Sequence, residues 1–193
     1  MSVTSVLAVV VQVIDILDGL SIPYHLGGSF ASTIHGVPRQ TGDVDIVVDL
    51  SPEAGRQLAA SLAGDFYVDE SVVADAVSQK TSFNAIHLTS GFKVDFFVAG
   101  DQQFDRVELQ RSIREQIVVD PPRWAAVKSA EDIVLRKLQW FKEGGGVSDR
   151  QWKDLLGVLK AQEDRLDALY LDEWARRLGL SELLATARAE ASG

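Results

Sequence analysis

The sequence predicts an α+β fold that gives way to an all-helical C-terminal part, and three observations predict it. Residues 43–50 alternate acidic and apolar side chains with the period of two that marks a half-buried strand. Residues 83–88 and 92–98, separated by Thr89-Ser90-Gly91, read as a β-hairpin. Beyond Pro121-Pro122 the chain carries only helix starts, helical periodicity and helix breaks. That proline pair is the expected boundary between a domain of residues 1–120 and a helical domain of residues 121–193.

In chain order, Val3 to Leu17 reads as a helix because apolar positions dominate and no turn signal appears before Asp18-Gly19. The run has no basic leader, Gln12 and Asp15 interrupt it, and it is shorter than the roughly 20 apolar residues of a membrane span, so no signal peptide or membrane anchor is expected. A short strand, Tyr24 to Leu26, leads into Gly27-Gly28-Ser29 and a helix from Phe30 to about Ile34. In the strand 43–50, Val44, Ile46, Val48 and Leu50 face one side and Asp43, Asp45, Val47 and Asp49 the other. Ser51-Pro52-Glu53 starts a helix that runs to about Leu62, with Ser51 as N-cap and Pro52 at the first helical position. After the hairpin come a weaker helix near 102–109 and a strand near 115–119. Ser129 caps a helix reaching about Phe141, Gly144-Gly145-Gly146 breaks it, and Ser148 starts another to about Lys160. Two further helices are expected at 164–178 and 181–189.

The 193 residues are 46% hydrophobic and 24% charged, the balance of a globular chain. With no cysteine, the chain has no disulfide, thiolate metal site or cysteine nucleophile, and it suits the reducing cytoplasm expected for it. The net charge of -9 lies wholly in residues 1–120, which hold seven Lys/Arg against sixteen Asp/Glu, while residues 121–193 hold twelve of each. A polyanion would not be drawn by the general field of the first part, so any nucleic acid would need local contacts, more plausibly from the C-terminal part.

Asp43 and Asp45, two apart on a strand, point the same way. Magnesium takes oxygen ligands and keeps much of its water, so two or three converging carboxylates suffice to hold it. Bound ions of this kind neutralise a triphosphate and lower the pKa of an attacking hydroxyl. Gly27-Gly28-Ser29 joins a strand to a helix, where glycines let backbone approach phosphate and the helix end offers N–H donors. Singly, these are a common loop and a common solvated strand end. Arg39 and Thr41, just ahead of the aspartates, make the combination specific.

Three later residues are candidates with an ordinary alternative each. Asp95 alternates with Val94 and Phe96 and shares a face with Lys93 and Phe97; it is either a solvated strand residue or a third metal ligand that also activates the incoming hydroxyl. Lys137 shares a helical stripe with Val134, Leu138 and Phe141, so its amine either snorkels to water or meets an anion such as a nucleotide phosphate. Arg136 lies off that stripe, where it can pair with Asp132. Asp154 points away from the apolar face of Trp152, Leu155, Leu156 and Leu159, as a solvent-facing aspartate would, unless this helix is sandwiched between core and active site, where Asp154 would reach the cleft. His25, His35 and His87 lack metal-ligand spacing and read as structural, and Trp124, Trp140, Trp152 and Trp174 read as core anchors of the helical part.

His25-Leu26-Gly27-Gly28-Ser29 followed by Arg39-Gln40-Thr41-Gly42-Asp43-Val44-Asp45-Ile46-Val47-Val48 resembles the signature of the polymerase-β nucleotidyltransferase superfamily. Ser82-Phe83-Asn84-Ala85-Ile86-His87, Lys93-Val94-Asp95-Phe96-Phe97, the segment from Ala130 to Leu138 and the segment from Asp149 to Leu156 resemble its AbiEii/MenT branch, so that the likeness spans about Tyr24 to Leu159. The resemblance implies a nucleotidyltransferase fold, a mixed sheet flanked by helices and followed by a C-terminal helical bundle. It implies Asp43, Asp45 and Asp95 as ligands of Mg²⁺ or Mn²⁺, and Gly27, Gly28, Ser29, Arg39, Thr41 and Lys137 as holding the NTP; Lys137 and Asp154 match the branch's helical Lys and Asp. Members of that branch are toxins of toxin-antitoxin or phage-defence systems, and some add pyrimidine nucleotides to the 3′ end of tRNA and stop translation. By resemblance the partners are therefore CTP or UTP, tRNA and a cognate antitoxin. A protein or a small molecule such as an aminoglycoside is the alternative acceptor, and a catalytically silent antitoxin-like module is the non-enzymatic alternative. Phosphorylation of Ser29 or Thr41 would set negative charge against the triphosphate and inhibit.

Overall fold

The alternating segment forms the strand Asp43–Val48 (β2) at the middle of a mixed sheet, buried at Val44, Ile46 and Val48 and half-buried at Asp43, Asp45 and Val47. The computed structural model describes residues 6–37 and 42–192. It comprises two units, Met1–Gly27 with Thr41–Val127 and Gly28–Gln40 with Lys128–Gly193.

In the first unit, the helix Val6–Gly19 (α1) buries Val9, Val10, Val13, Ile14 and Leu17, the side the apolar run provides, and packs on the helix Pro52–Leu62 (α3). Tyr24–Leu26 (β1) pairs antiparallel with β2. The Ser51 hydroxyl accepts the Ala54 N–H at the start of α3, as the Ser-Pro-Glu start requires. Phe66–Tyr67 (β3) and the helix Glu70–Gln79 (α4) follow, the latter capped by Asp69, which accepts the Ser71 and Val72 N–H groups. The hairpin is Ser82–His87 (β4) and Lys93–Val98 (β5), with the Phe83 and Phe96 rings stacked 4.8 Å apart. Gln103–Gln110 (α5), Ile113–Val118 (β6) and Arg123–Val127 (β7) complete the unit. Among the described residues the sheet has seven strands in the order β3-β4-β5-β2-β1-β7-β6, with β2/β5 and β1/β7 parallel and the other pairs antiparallel.

β3, α4 and β7 have no counterpart in the sequence reading. Pro121-Pro122, read there as a domain boundary, lies in the turn between β6 and β7. Prolines serve a tight antiparallel turn as well as a linker, which is why composition does not tell the two apart.

In the second unit, Gly28–His35 (α2) packs on Ala130–Glu143 (α6) and Asp149–Gln162 (α7). A 3₁₀ turn, Glu163–Arg165, leads to Ala168–Arg177 (α8) and Ser181–Ser192 (α9), where α8 packs on α6 and α9 on α7. The α2–α7 approach is a backbone contact: a Cβ on Gly36 would lie 3.0 Å from the Val158 nitrogen. Asp132 of α6 is fully buried and accepts the hydroxyl of its N-cap Ser129 at 2.9 Å and that of Tyr170 on α8 at 2.6 Å, tying the two helices together; Arg136 donates to Gln139.

Trp174 is buried as a core anchor should be, with Arg177 over its ring. Two of the other tryptophans correct that reading. Trp124 lies on β7 of the first unit and is 48% exposed, and Trp140 is 37% exposed on α6. Trp152 packs against Phe141 with ring centroids 4.8 Å apart and the planes tilted by 36°, and donates its indole N–H to Glu190. Large aromatic rings satisfy a helix or strand face without being enclosed, so residue type alone overstates their burial.

Tyr24, on β1, is buried, and that burial, with the Asp18 carboxylate adding to it, pushes its hydroxyl up to about 12. The folded state thus favours the neutral phenol. Its contribution is whole below the ordinary value of 10.0 and is lost as pH rises from there through about 12. We predict that the urea midpoint of the protein falls more steeply over this window than that of Tyr24→Phe, the difference reaching about 2–3 kcal/mol at most.

Candidate functional site

β2 and β5 run parallel in a register that sets Asp45 opposite Asp95 and Asp43 opposite Lys93. Directly paired residues of neighbouring strands share a face, about 4.8 Å apart. The face is half-buried on both strands, while their other face, Val44, Ile46 and Val48 with Val94, Phe96 and Val98, is core. Period-two alternation on two strands has therefore put Asp43, Asp45 and Asp95 on one half-buried surface, with Val47 and Phe97 beside them at its far end.

A cation lies on this surface. The Lys93 ammonium is 2.7 Å from Asp95 Oδ2, with the lysine side chain 45% and the aspartate 18% exposed. Its hydrogen bond to Asp95 raises the Lys93 pKa above 10.5; burial opposes this, and the charges of Asp95, Asp43 and Asp45 add to the rise. Among the described residues no three His, Cys, Asp or Glu side chains are gathered closely enough to hold a metal ion. The donor chemistry nevertheless suits Mg²⁺ or Mn²⁺: three carboxylates on one half-exposed face, whose field already holds an ammonium.

The glycine turn is fastened to the same strand. The Gly27 N–H donates to the Asp45 carbonyl at 2.8 Å, continuing the β1/β2 ladder past the Leu26–Ile46 pair. Gly28 follows with φ +50°, a left-handed conformation that a side chain resists, and it opens α2. Ser29 is half-buried in the first turn of α2, which carries no acidic side chain there, and the Ser32 hydroxyl donates to the Gly28 carbonyl at 2.8 Å. Arg39 and Thr41 lie outside the described residues.

Lys137 and Asp154 meet. The Lys137 amine is 3.0 Å from Asp154 Oδ2 and donates to Gln151 Oε1 at 2.8 Å, with side-chain exposures of 3% for the lysine and 11% for the aspartate. The lysine on an apolar stripe thus meets an anion on the neighbouring helix. Of the two readings of Asp154, the structure has the enclosed one: α7 packs against α2, α6 and α9, so a residue off its main apolar face is still covered. Gln151, three residues before Asp154 on the same helix, is a partner to which sequence reasoning assigned no role. Its i, i+3 spacing from Asp154 was the available signal.

The histidines are all buried. His35 donates from Nε2 to the Lys128 carbonyl at 2.9 Å, and His87 contacts the Ser90 hydroxyl at 2.8 Å with its ring edge-on to Phe66. Among the described residues no helix is long and apolar enough to cross a membrane.

No family model and no curated protein matches the sequence. Solved structures do match the fold. The solution structure of the antibiotic-resistance factor ANT(2″)-Ia superposes with a TM-score of 0.58 at 16% identity, covering 99% of this chain and 100% of that one. The crystal structure of ANT(2″)-Ia in complex with adenylyl-2″-tobramycin gives a TM-score of 0.52 at 14% identity, covering 89% of this chain and 95% of that one. An antigenic nucleotidyltransferase-like protein from Paracoccidioides brasiliensis gives 0.55 at 19% identity, covering 95% and 92%. With its mixed sheet, flanking helices and C-terminal helical region, the chain adopts the nucleotidyltransferase fold.

Proposed function

We propose that this chain is a metal-dependent nucleotidyltransferase, and the observation that carries the reading is the Asp45–Asp95 register pair with Asp43 on the same face. Asp43, Asp45 and Asp95 would hold Mg²⁺ or Mn²⁺, which when bound neutralises the triphosphate and lowers the pKa of the attacking hydroxyl. The N–H groups at the start of α2, with Gly28 and Ser29, bind triphosphate oxygens, a role that suits a helix start without acidic side chains. Arg39 and Thr41 support that binding. Lys137 adds a cation to the nucleotide, and Asp154 and Gln151 hold its amine in place. An acceptor hydroxyl attacks the α-phosphorus; its oxygen forms the new P–O bond, the bond to the β-phosphate oxygen breaks, and pyrophosphate leaves. Asp95 receives or steers the hydroxyl proton.

The acceptor we favour is the 3′ hydroxyl of tRNA, with CTP or UTP as donor, in a cytoplasmic toxin restrained by an antitoxin. This rests on the AbiEii/MenT-like segments, including the Lys137–Asp154 pair that those segments bring together. A second reading takes a cationic small molecule as acceptor. The excess of sixteen acidic over seven basic residues in the first 120 favours it, as does the fold shared with ANT(2″)-Ia, whose complex holds adenylyl-tobramycin. Incubation with each α-labelled NTP and, separately, total tRNA, an aminoglycoside panel and a cell lysate distinguishes them. Label from CTP or UTP on tRNA is expected; label only on an aminoglycoside or on protein would replace the tRNA reading.

A further inference from the structure

Lys93 belongs to the carboxylate face without having a place in the chemistry so far. It faces Asp43 across the β2/β5 register, stands two residues before Asp95 on one strand, and directs its ammonium at Asp95 rather than into solvent, although nearly half of the side chain is exposed. Three carboxylates on one surface repel one another, and a permanent ammonium among them relieves that repulsion. A divalent cation bound by the same oxygens would meet the same field from a competing position, because Asp95 Oδ2 is already engaged at 2.7 Å. The ammonium and a divalent cation repel at a few ångströms and compete for the same carboxylate oxygen.

We propose that Lys93 is a built-in counter-ion of the metal site, displaced from Asp95 when Mg²⁺ or Mn²⁺ binds, so that it sets the metal affinity of the protein. The inference rests on the reading of Asp43, Asp45 and Asp95 as metal ligands. With Lys93 in place, part of the mutual repulsion of the carboxylates is offset without metal. The metal then exchanges one interaction for another at Asp95 rather than entering a bare cluster of negative charge. The released ammonium keeps its positive charge beside the site, where it would favour a bound triphosphate over free metal.

The test is Mn²⁺ titration of the full chain by calorimetry and by electron paramagnetic resonance of the free ion, with no nucleotide present. Lys93→Met, which keeps the stem and removes the charge, should bind Mn²⁺ about tenfold more tightly than wild type, and Lys93→Arg should stay within about twofold of it. Asp45→Asn should lose binding. Equal or weaker binding by Lys93→Met, with Asp45→Asn still defective, would overturn the counter-ion role and leave the metal site standing. Binding that is absent in all variants, or unaffected by Asp45→Asn, would overturn the metal reading and this inference with it. Circular dichroism and thermal unfolding of each variant confirm that the fold is kept, which the half-exposed position of Lys93 leads us to expect.

Discussion

Asp45→Asn should lower nucleotide transfer by about a thousandfold or more while leaving thermal stability within about 1 kcal/mol of wild type. The asymmetry follows from where Asp45 sits. Its side chain is on the half-buried face, its backbone supports the sheet and accepts the Gly27 N–H, and the substitution keeps both backbone contacts and side-chain shape. What the substitution removes is charge, and in this account the charge serves the cation. Asp45 pairs directly with Asp95 across β2 and β5 and stands two residues from Asp43 on β2, so its loss removes the member next to both others. Asp43→Asn should follow it in direction. Initial rates with saturating NTP, alongside thermal melts of the same preparations, give both numbers; equal activity of Asp45→Asn and wild type would contradict the assignment.

Asp154→Ala should destabilise the helical unit by about 3 kcal/mol or more, an effect on folding before any on chemistry. Lys137 is 3% exposed, so removing the carboxylate takes from a buried ammonium an anion that stands 3.0 Å away. Burying a charge without its counter-ion is the costly case; replacing both partners with apolar groups is not. Lys137→Met combined with Asp154→Leu should therefore recover most of the stability lost in Asp154→Ala, yet remain defective in transfer because the cation for the nucleotide is gone. Urea unfolding followed by circular dichroism reads the first effect and label transfer the second. A double variant as unstable as Asp154→Ala would show that the pair is not the source of the loss.

Much of this site was legible because two simple periods carry it. Alternation placed Asp43 and Asp45 together and Asp95 with Lys93, and Ser51-Pro52 and Ser129 marked helix starts that the structure keeps. What alternation does not contain is register: that Asp45 lies opposite Asp95 depends on β2 and β5 being parallel neighbours, a long-range pairing. For the same reason the Lys93–Asp95 ion pair, between residues on one face of one strand, was readable as proximity but not as an interaction. The apolar face of α7 alone does not decide whether Asp154 is enclosed, because that depends on how many helices pack on α7, here α2, α6 and α9. β3 is two residues long and β7 follows a proline pair, so neither carries a pattern long enough to read.

Equilibrium binding of NTP with and without Mg²⁺, compared between wild type and Asp45→Asn, tests the central claim most directly because it needs no acceptor. Wild type is expected to bind NTP at least about tenfold more tightly with Mg²⁺ than without it, and Asp45→Asn to lose this difference. Nucleotide binding that ignores Mg²⁺, or a Mg²⁺ effect that survives Asp45→Asn, would contradict a metal-dependent nucleotidyl transfer built on Asp43, Asp45 and Asp95.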